Sequence, residues 1–127
     1  MVFQCTDALI TIAAHDIEKI VFFYTQFLAK KPEYFVPNTY AEFQLPGIKL
    51  GLFKPKLTEI SEFQTSTKSS MSLCLEVIDL EGVVSHLTTL GYPPPGEIMI
   101  ASHGREIYAY DPDNNRIILH ESTGARK

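Results

Sequence analysis

The chain is poor in cysteine and lacks any basic stripe or long apolar run. Cys5 and Cys74 are its two cysteines, and they form neither a CxxC pair nor a disulfide framework. That excludes a stapled secreted scaffold and leaves two reduced thiols in a cytoplasmic protein. No apolar run approaches the roughly 18 residues needed to cross a bilayer. The stretch Met1-Val2-Phe3-Gln4-Cys5-Thr6-Asp7 has no basic region followed by an apolar one, so no signal peptide is expected. Eleven basic residues are interspersed among 15 acidic ones for a net charge of -4. Without a concentrated positive face, a nucleic-acid backbone and an anionic membrane are both unsuitable partners. What is present is a 45% hydrophobic chain of 127 residues. That composition suits a single globular domain with a real core.

The chain contains an internal duplication, weak in identity but clear in pattern. Ile10-Thr-Ile-Ala-Ala-His-Asp16 matches Leu73-Cys-Leu-Glu-Val-Ile-Asp79. Both alternate as strands, with Ile10, Ile12 and Ala14 on one face and Leu73, Leu75 and Val77 on the equivalent one. Each ends at an aspartate placed to cap a helix. The apolar stripes that follow are Ile17, Ile20, Val21, Tyr24, Phe27 and Leu28, then Leu80, Val83, Val84, Leu87 and Leu90, both at helical spacing. Phe22 is expected to widen the first stripe, and Phe23 to fall off it and be half exposed. Lys30-Lys31-Pro32 ends the first helix and Gly91 the second. Short strands follow over Glu33–Val36, Tyr40–Leu45 and Ile48–Phe53, and again over Glu97–Ala101, Arg105–Tyr110 and Arg116–Glu121. Each module is therefore β-α-β-β-β. Module 1 covers about 6–53 and module 2 about 71–122. A polar linker spans 54–70, with a helical turn near Leu57–Phe63.

Two such modules, with a hairpin turn Asp111-Pro112-Asp113-Asn114-Asn115 before the last strand, resemble the vicinal oxygen chelate superfamily. Its members include glyoxalase I, extradiol dioxygenases, fosfomycin-resistance enzymes and bleomycin-resistance proteins. The resemblance covers about Thr6 to Ser122. Asn114 stands where the family turn usually has glycine, and asparagine tolerates the positive φ required there. The resemblance implies an α+β fold: a curved mixed sheet, helices on its convex face and a ligand cup on its concave face. It also implies a homodimer and a metal held by His and Glu from four strands.

Register places those four ligand positions at Leu9, Gly51, Ser72 and Ile118. None offers an imidazole or a carboxylate, so no metal and no cofactor are expected. A one-residue slip would reverse every face, but Ile48, Leu50, Leu52, Ile117 and Leu119 all suit the helix-covered side. The expected ligand-binding set is Leu9, Thr11, Lys49, Phe53, Ser72, Cys74, Tyr108, Ile118 and His120, with Ala13, Glu76, Glu106, Tyr110 and Arg116 on the same faces. Glu42 and Glu121 are expected to point away from the cup.

Candidate catalytic residues are His120, Glu76 and Tyr108. His120 is either a general base, a ligand of a displaced metal, or a structural histidine at a sheet edge. Glu76 either orients His120 or is solvated. Cys74 reads as a small core hydrophobe ahead of a nucleophile, His15 and His86 as solvent-facing, and His103 as a turn residue at the rim that is either bland or in contact with a ligand. The leading expectation is a small-molecule binding protein without the usual metal ligands. The alternatives are a metal-dependent lyase or dioxygenase with a displaced site, and an interaction protein with a vestigial cup.

Overall fold

The structure, a computed structural model, describes residues 3–64 and 69–123. Residues 65–68 of the expected linker lie outside the described residues. The chain divides into two compact units, Met1–Gln64 and Thr65–Lys127.

In the first unit β1 (Leu9–Ala13) leads into α1 (Ile17–Leu28), then β2 (Tyr34–Val36), β3 (Tyr40–Leu45) and β4 (Ile48–Phe53). The sheet order is β1-β4-β3-β2, with β1 parallel to β4 and the other pairs antiparallel. The second unit repeats this with β5 (Leu73–Glu76), α2 (Leu80–Leu90), β6 (Met99–Ala101), β7 (Gly104–Tyr110) and β8 (Arg116–Ser122), in the order β5-β8-β7-β6. A 3-10 helix at Leu57–Phe63 falls where the sequence predicts a helical turn. The result is an α+β fold of two four-stranded mixed sheets, neither of them closed.

The helices start and stop for local reasons. Asp16 and Asp79 accept from the backbone N–H of Lys19 (3.2 Å) and Gly82 (3.1 Å), satisfying donors that the first turn leaves orphaned. Ala29 and Gly91 end the helices in the left-handed conformation, at φ 56° and 96°. After Gly91, the N–H of Tyr92 returns to Leu87 O (2.9 Å).

Each helix covers one face of its own sheet, α1 against β4 and α2 against β8. The first core joins Ile20, Tyr24 and Phe27 to Phe43, Leu50 and Leu52, and the second joins Leu80 and Leu87 to Ile107, Ile117 and Leu119. One expectation is overturned on α1. Phe23 is 3% exposed and Phe22 is 66% exposed. Phe23 lies three residues after Ile20 and four before Phe27, so it shares their face. Its ring stacks on Phe27 at 5.5 Å and meets Tyr24 edge-on at 5.0 Å.

Candidate functional site

The face of each sheet opposite its helix is called its open face. Register assigns residues to it row by row, because directly paired residues project to the same side. In the first unit the rows are Leu9–Lys49–Gln44, Thr11–Gly51–Glu42 and Ala13–Phe53–Tyr40. Leu9, Thr11, Lys49 and Phe53 therefore share one face. Glu42 joins them, against the expectation that it points away. Its partner is Gly51, and the buried alternation of Ala41, Phe43 and Leu45 sends Glu42 to the other side.

The space above Gly51 is already used. A Cβ built there would meet Tyr40 Oη at 2.7 Å and Leu9 Cδ1 at 3.3 Å. Tyr40 Oη donates to Glu42 Oε2 at 2.8 Å, and Lys49 Nζ stands 3.9 Å from the same carboxylate. Burial first, and then the hydrogen bond and charge of Glu42, push the Tyr40 phenol up to about 12. Phe63 from the 3-10 helix packs edge-on against Phe53, with ring centroids 5.2 Å apart.

In the second unit the rows are Tyr108–Ile118–Cys74 and Glu106–His120–Glu76. Cys74 is exposed on this face and does not serve as a core hydrophobe. Tyr108 is exposed and Ile118 half buried. Arg116 Nη1 donates to Ser72 Oγ at 2.9 Å and to Ser69 O at 2.8 Å.

Glu76 orients His120 and is not merely solvated. Both of its oxygens lie near His120 Nδ1, at 2.9 and 3.0 Å. The other ring nitrogen, Nε2, lies 2.8 Å from His103 Nδ1, and the two imidazole centroids are 4.9 Å apart. His120 is 5% exposed, whereas His103 is exposed. A histidine expected at the rim thus caps the most buried member of the candidate set. Gly104 makes the approach possible. Its φ is 154°, and a Cβ would stand 2.2 Å from Glu121 O and 3.1 Å from His120 Cε1. The glycine was visible in the sequence as a turn residue, but the fold-back of His103 was not.

Glu121 points to the helix side, as expected. It accepts from the N–H of Leu80 at 3.0 Å and from Arg105 Nη2 at 2.6 Å. Arg105 also grips Glu81 with two parallel bonds of 2.6 and 2.8 Å. Those bonds hold the Glu81 carboxyl down to about 2 and raise the Arg105 guanidinium above its usual value. The Leu80 N–H and then Arg105 lower Glu121. Among the described residues, Asp79, Glu81 and Glu121 are the one group of three or more metal-type donors lying close together, and all are on this helix side. The guanidinium of Arg105 already neutralises two of them.

The metal that the resemblance implies does not fit the residues at the four positions implied for it. Leu9, Gly51 and Ile118 have no donor atom, and the Ser72 hydroxyl accepts a hydrogen bond from a guanidinium. A divalent ion needs several imidazoles or carboxylates and would meet a positive charge beside the single hydroxyl.

No family model and no curated protein sequence matches the chain. Solved structures do match. A glyoxalase-related enzyme from Fulvimarina pelagi aligns at TM-score 0.76 and 19% identity, over 94% of this chain and 89% of its own. A glyoxalase/bleomycin resistance protein from Catenulispora Acidiphila aligns at 0.66 and 21%, over 91% and 96%. The genomically encoded fosfomycin resistance protein FosX from Listeria monocytogenes aligns at 0.72 and 17%, over 97% and 96%. At such identities the likeness speaks to architecture, and it agrees with the paired βαβββ units and their strand orders. The chain has the fold of the glyoxalase, bleomycin-resistance and dioxygenase proteins, the vicinal oxygen chelate fold.

Proposed function

We propose that this protein binds a small organic molecule without a metal, on the open faces of its sheets. The observation that carries the reading is the chemistry at the four expected ligand positions. Leu9, Gly51 and Ile118 offer no donor, and the hydroxyl of Ser72 is occupied by Arg116. By contrast, one FosX structure from Listeria monocytogenes is a complex with Mn(II) and 1S,2S-dihydroxypropylphosphonic acid. Exposed apolar groups support the reading as well. Leu9, Phe63 and Tyr108 are exposed, and Phe53 is half buried beneath Phe63. Flat or apolar ligands suit each open face taken by itself, with Lys49 and Glu42 supplying charge for orientation in the first unit and Arg116 in the second.

A displaced metal centre around His120, Glu76 and Glu106 is the weaker reading. Both ring nitrogens of His120 are already engaged in hydrogen bonds. The proposal keeps a homodimer in the cytoplasm; no described helix is long and apolar enough to cross a membrane. Sedimentation at micromolar concentration tests the dimer, and a strict monomer contradicts it.

The main test combines two measurements on purified protein. Metal analysis after reconstitution with nickel, zinc, iron or manganese is expected to find well under one equivalent. Thermal-shift screening against organic ligands, including aromatic and cationic antibiotics, is expected to find stabilisation. Stoichiometric metal overturns the metal-free claim, and no shift across a broad library overturns the binding claim.

A further inference from the structure

We propose that Glu76, His120 and His103 form a proton relay that makes Nε2 of His103 a general base. Its substrate class is a small organic molecule with an acidic C–H or O–H, held on the open face of the second unit. The proposal rests on the metal-free reading above, and it adds a chemical step that binding alone does not imply.

Hydrogen-bond chemistry orders the protons. An ionised carboxylate only accepts, so His120 Nδ1 carries the hydrogen that points at Glu76. In neutral His120 the other nitrogen, Nε2, is then a lone pair. At 2.8 Å it accepts from His103 Nδ1–H. His103 in turn must keep its own lone pair at Nε2. Among the described residues that nitrogen has no protein partner, and the residue is exposed. The chain thus runs from a carboxylate, through a buried imidazole, to an accessible base.

The step balances. Nε2 of His103 takes a proton from the substrate, leaving the substrate's electron pair behind as an anion. The Nδ1 proton of His103 passes to His120 Nε2. His103 ends neutral, and His120 becomes an imidazolium against Glu76. The positive charge therefore rests beside a carboxylate, not on the exposed ring. Reversal returns the proton, so the reaction class is proton abstraction followed by isomerisation, elimination or exchange.

The surroundings suit this role. From β7 the charged group facing His120 is its register partner Glu106, and from β5 it is Glu76. Met99 of β6 continues the row without charge. One row along, Tyr108 and Ile118 provide an apolar surface for the rest of a substrate. Arg105 and Glu121 lie on the opposite face and are committed to each other. His103 touches substrate in this scheme. His120 and Glu76 act through it and are positioning residues.

Two measurements test the relay without knowledge of the natural ligand. Long-range nitrogen–proton spectra of the histidine rings are expected to show hydrogen on Nδ1 of both His103 and His120. A neutral His103 carrying its hydrogen on Nε2 overturns the assignment. The second measurement uses 5-nitrobenzisoxazole, whose C3 proton is removed by a base while its N–O bond breaks to give a cyanophenolate. In chelator-treated protein, ring opening is expected to exceed that of the folded His103→Ala variant about a hundredfold, the usual scale for a positioned base. Glu76→Gln is expected to lower the rate and to move the His120 nitrogen shifts. A rate equal in wild type and His103→Ala overturns the proposal. Because a chelator is present and no natural ligand is used, this failure is separate from failure of the binding reading.

Discussion

Gly104 holds a position that no side chain can share. Its missing Cβ lets β7 press against the Glu121 carbonyl and lets His103 reach the His120 ring. Gly104→Ala is expected to destabilise the protein by about 2 kcal/mol or more, since strained backbone and a steric clash both contribute. Urea titration measures that loss, and an unchanged midpoint contradicts it. Arg105 gives a residue-scale prediction in pH. An acid whose pKa is depressed in the folded state stabilises the fold above its unfolded value, and loses that contribution as pH falls through the folded value. For Glu81 the window runs from 4.5 down to about 2, and Glu121 shifts in the same direction. Acid unfolding of the wild type is therefore expected to steepen within that window. Arg105→Met should flatten this limb, and an identical acid profile for the variant refutes the account.

At the scale of elements, α1 offers the sharpest contrast. Phe23 is stacked in the core and Phe22 faces solvent. Phe23→Ala should cost about 3–5 kcal/mol, while Phe22→Ala should stay within about 0.5 kcal/mol. Comparable losses in the two variants, read by chemical denaturation, overturn the face assignment. The contrast also marks how far the sequence is legible. Alternation and helical spacing locate every strand and both helices, because periodicity reports which side is buried. The hairpin at Asp111 is legible too: Oδ1 of Asp111 accepts from the N–H groups of Asp113 and Asn115, each at 2.9 Å, and Asn114 takes φ 66°. Choosing between adjacent phenylalanines is harder, since two neighbouring positions differ by only about 100° around the axis. Glu42 is a different failure, since its face follows from the β3–β4 register opposite Gly51 and not from its own type. The Glu76–His120 pairing requires a parallel neighbour far along the chain, and His103 requires a turn that folds back. Neither leaves a periodic trace.

At the scale of the whole molecule, two similar units carry different open faces. The first places Tyr40 and Leu9 over Gly51, and the second holds the histidine pair. At the four positions that the resemblance implies for a metal, the residues are Leu9, Gly51, Ser72 and Ile118. On the metal-free proposal, exhaustive treatment with a chelator should leave Tm within about 1 °C of its starting value, since only an ion bound to the folded state would add stability that the chelator removes. A larger fall in Tm, restored by one specific ion, refutes the metal-free reading. The duplicated architecture makes these positions comparable across the chain. It does not make them chemically equivalent, because residue identity at matched register has diverged.

The parallel pairing at the start of each unit also sets an order of assembly. Leu9 lies opposite Lys49 and Leu73 opposite Ile117, so within its own unit and among the described residues each of β1 and β5 gains its strand neighbour after a helix and two further strands have been made. Closing such loops costs entropy before any contact returns it, whereas the β3–β4 and β7–β8 hairpins close locally. The hairpins are therefore expected in the rate-limiting state for folding, with β5 joining β8 on the downhill side. Glu76 would then reach His120 among the last events of folding, and substitutions in β5 should speed unfolding far more than they slow refolding. Stopped-flow tyrosine fluorescence or circular dichroism separates the two rates, and a β5 variant that chiefly slows refolding would reverse the order.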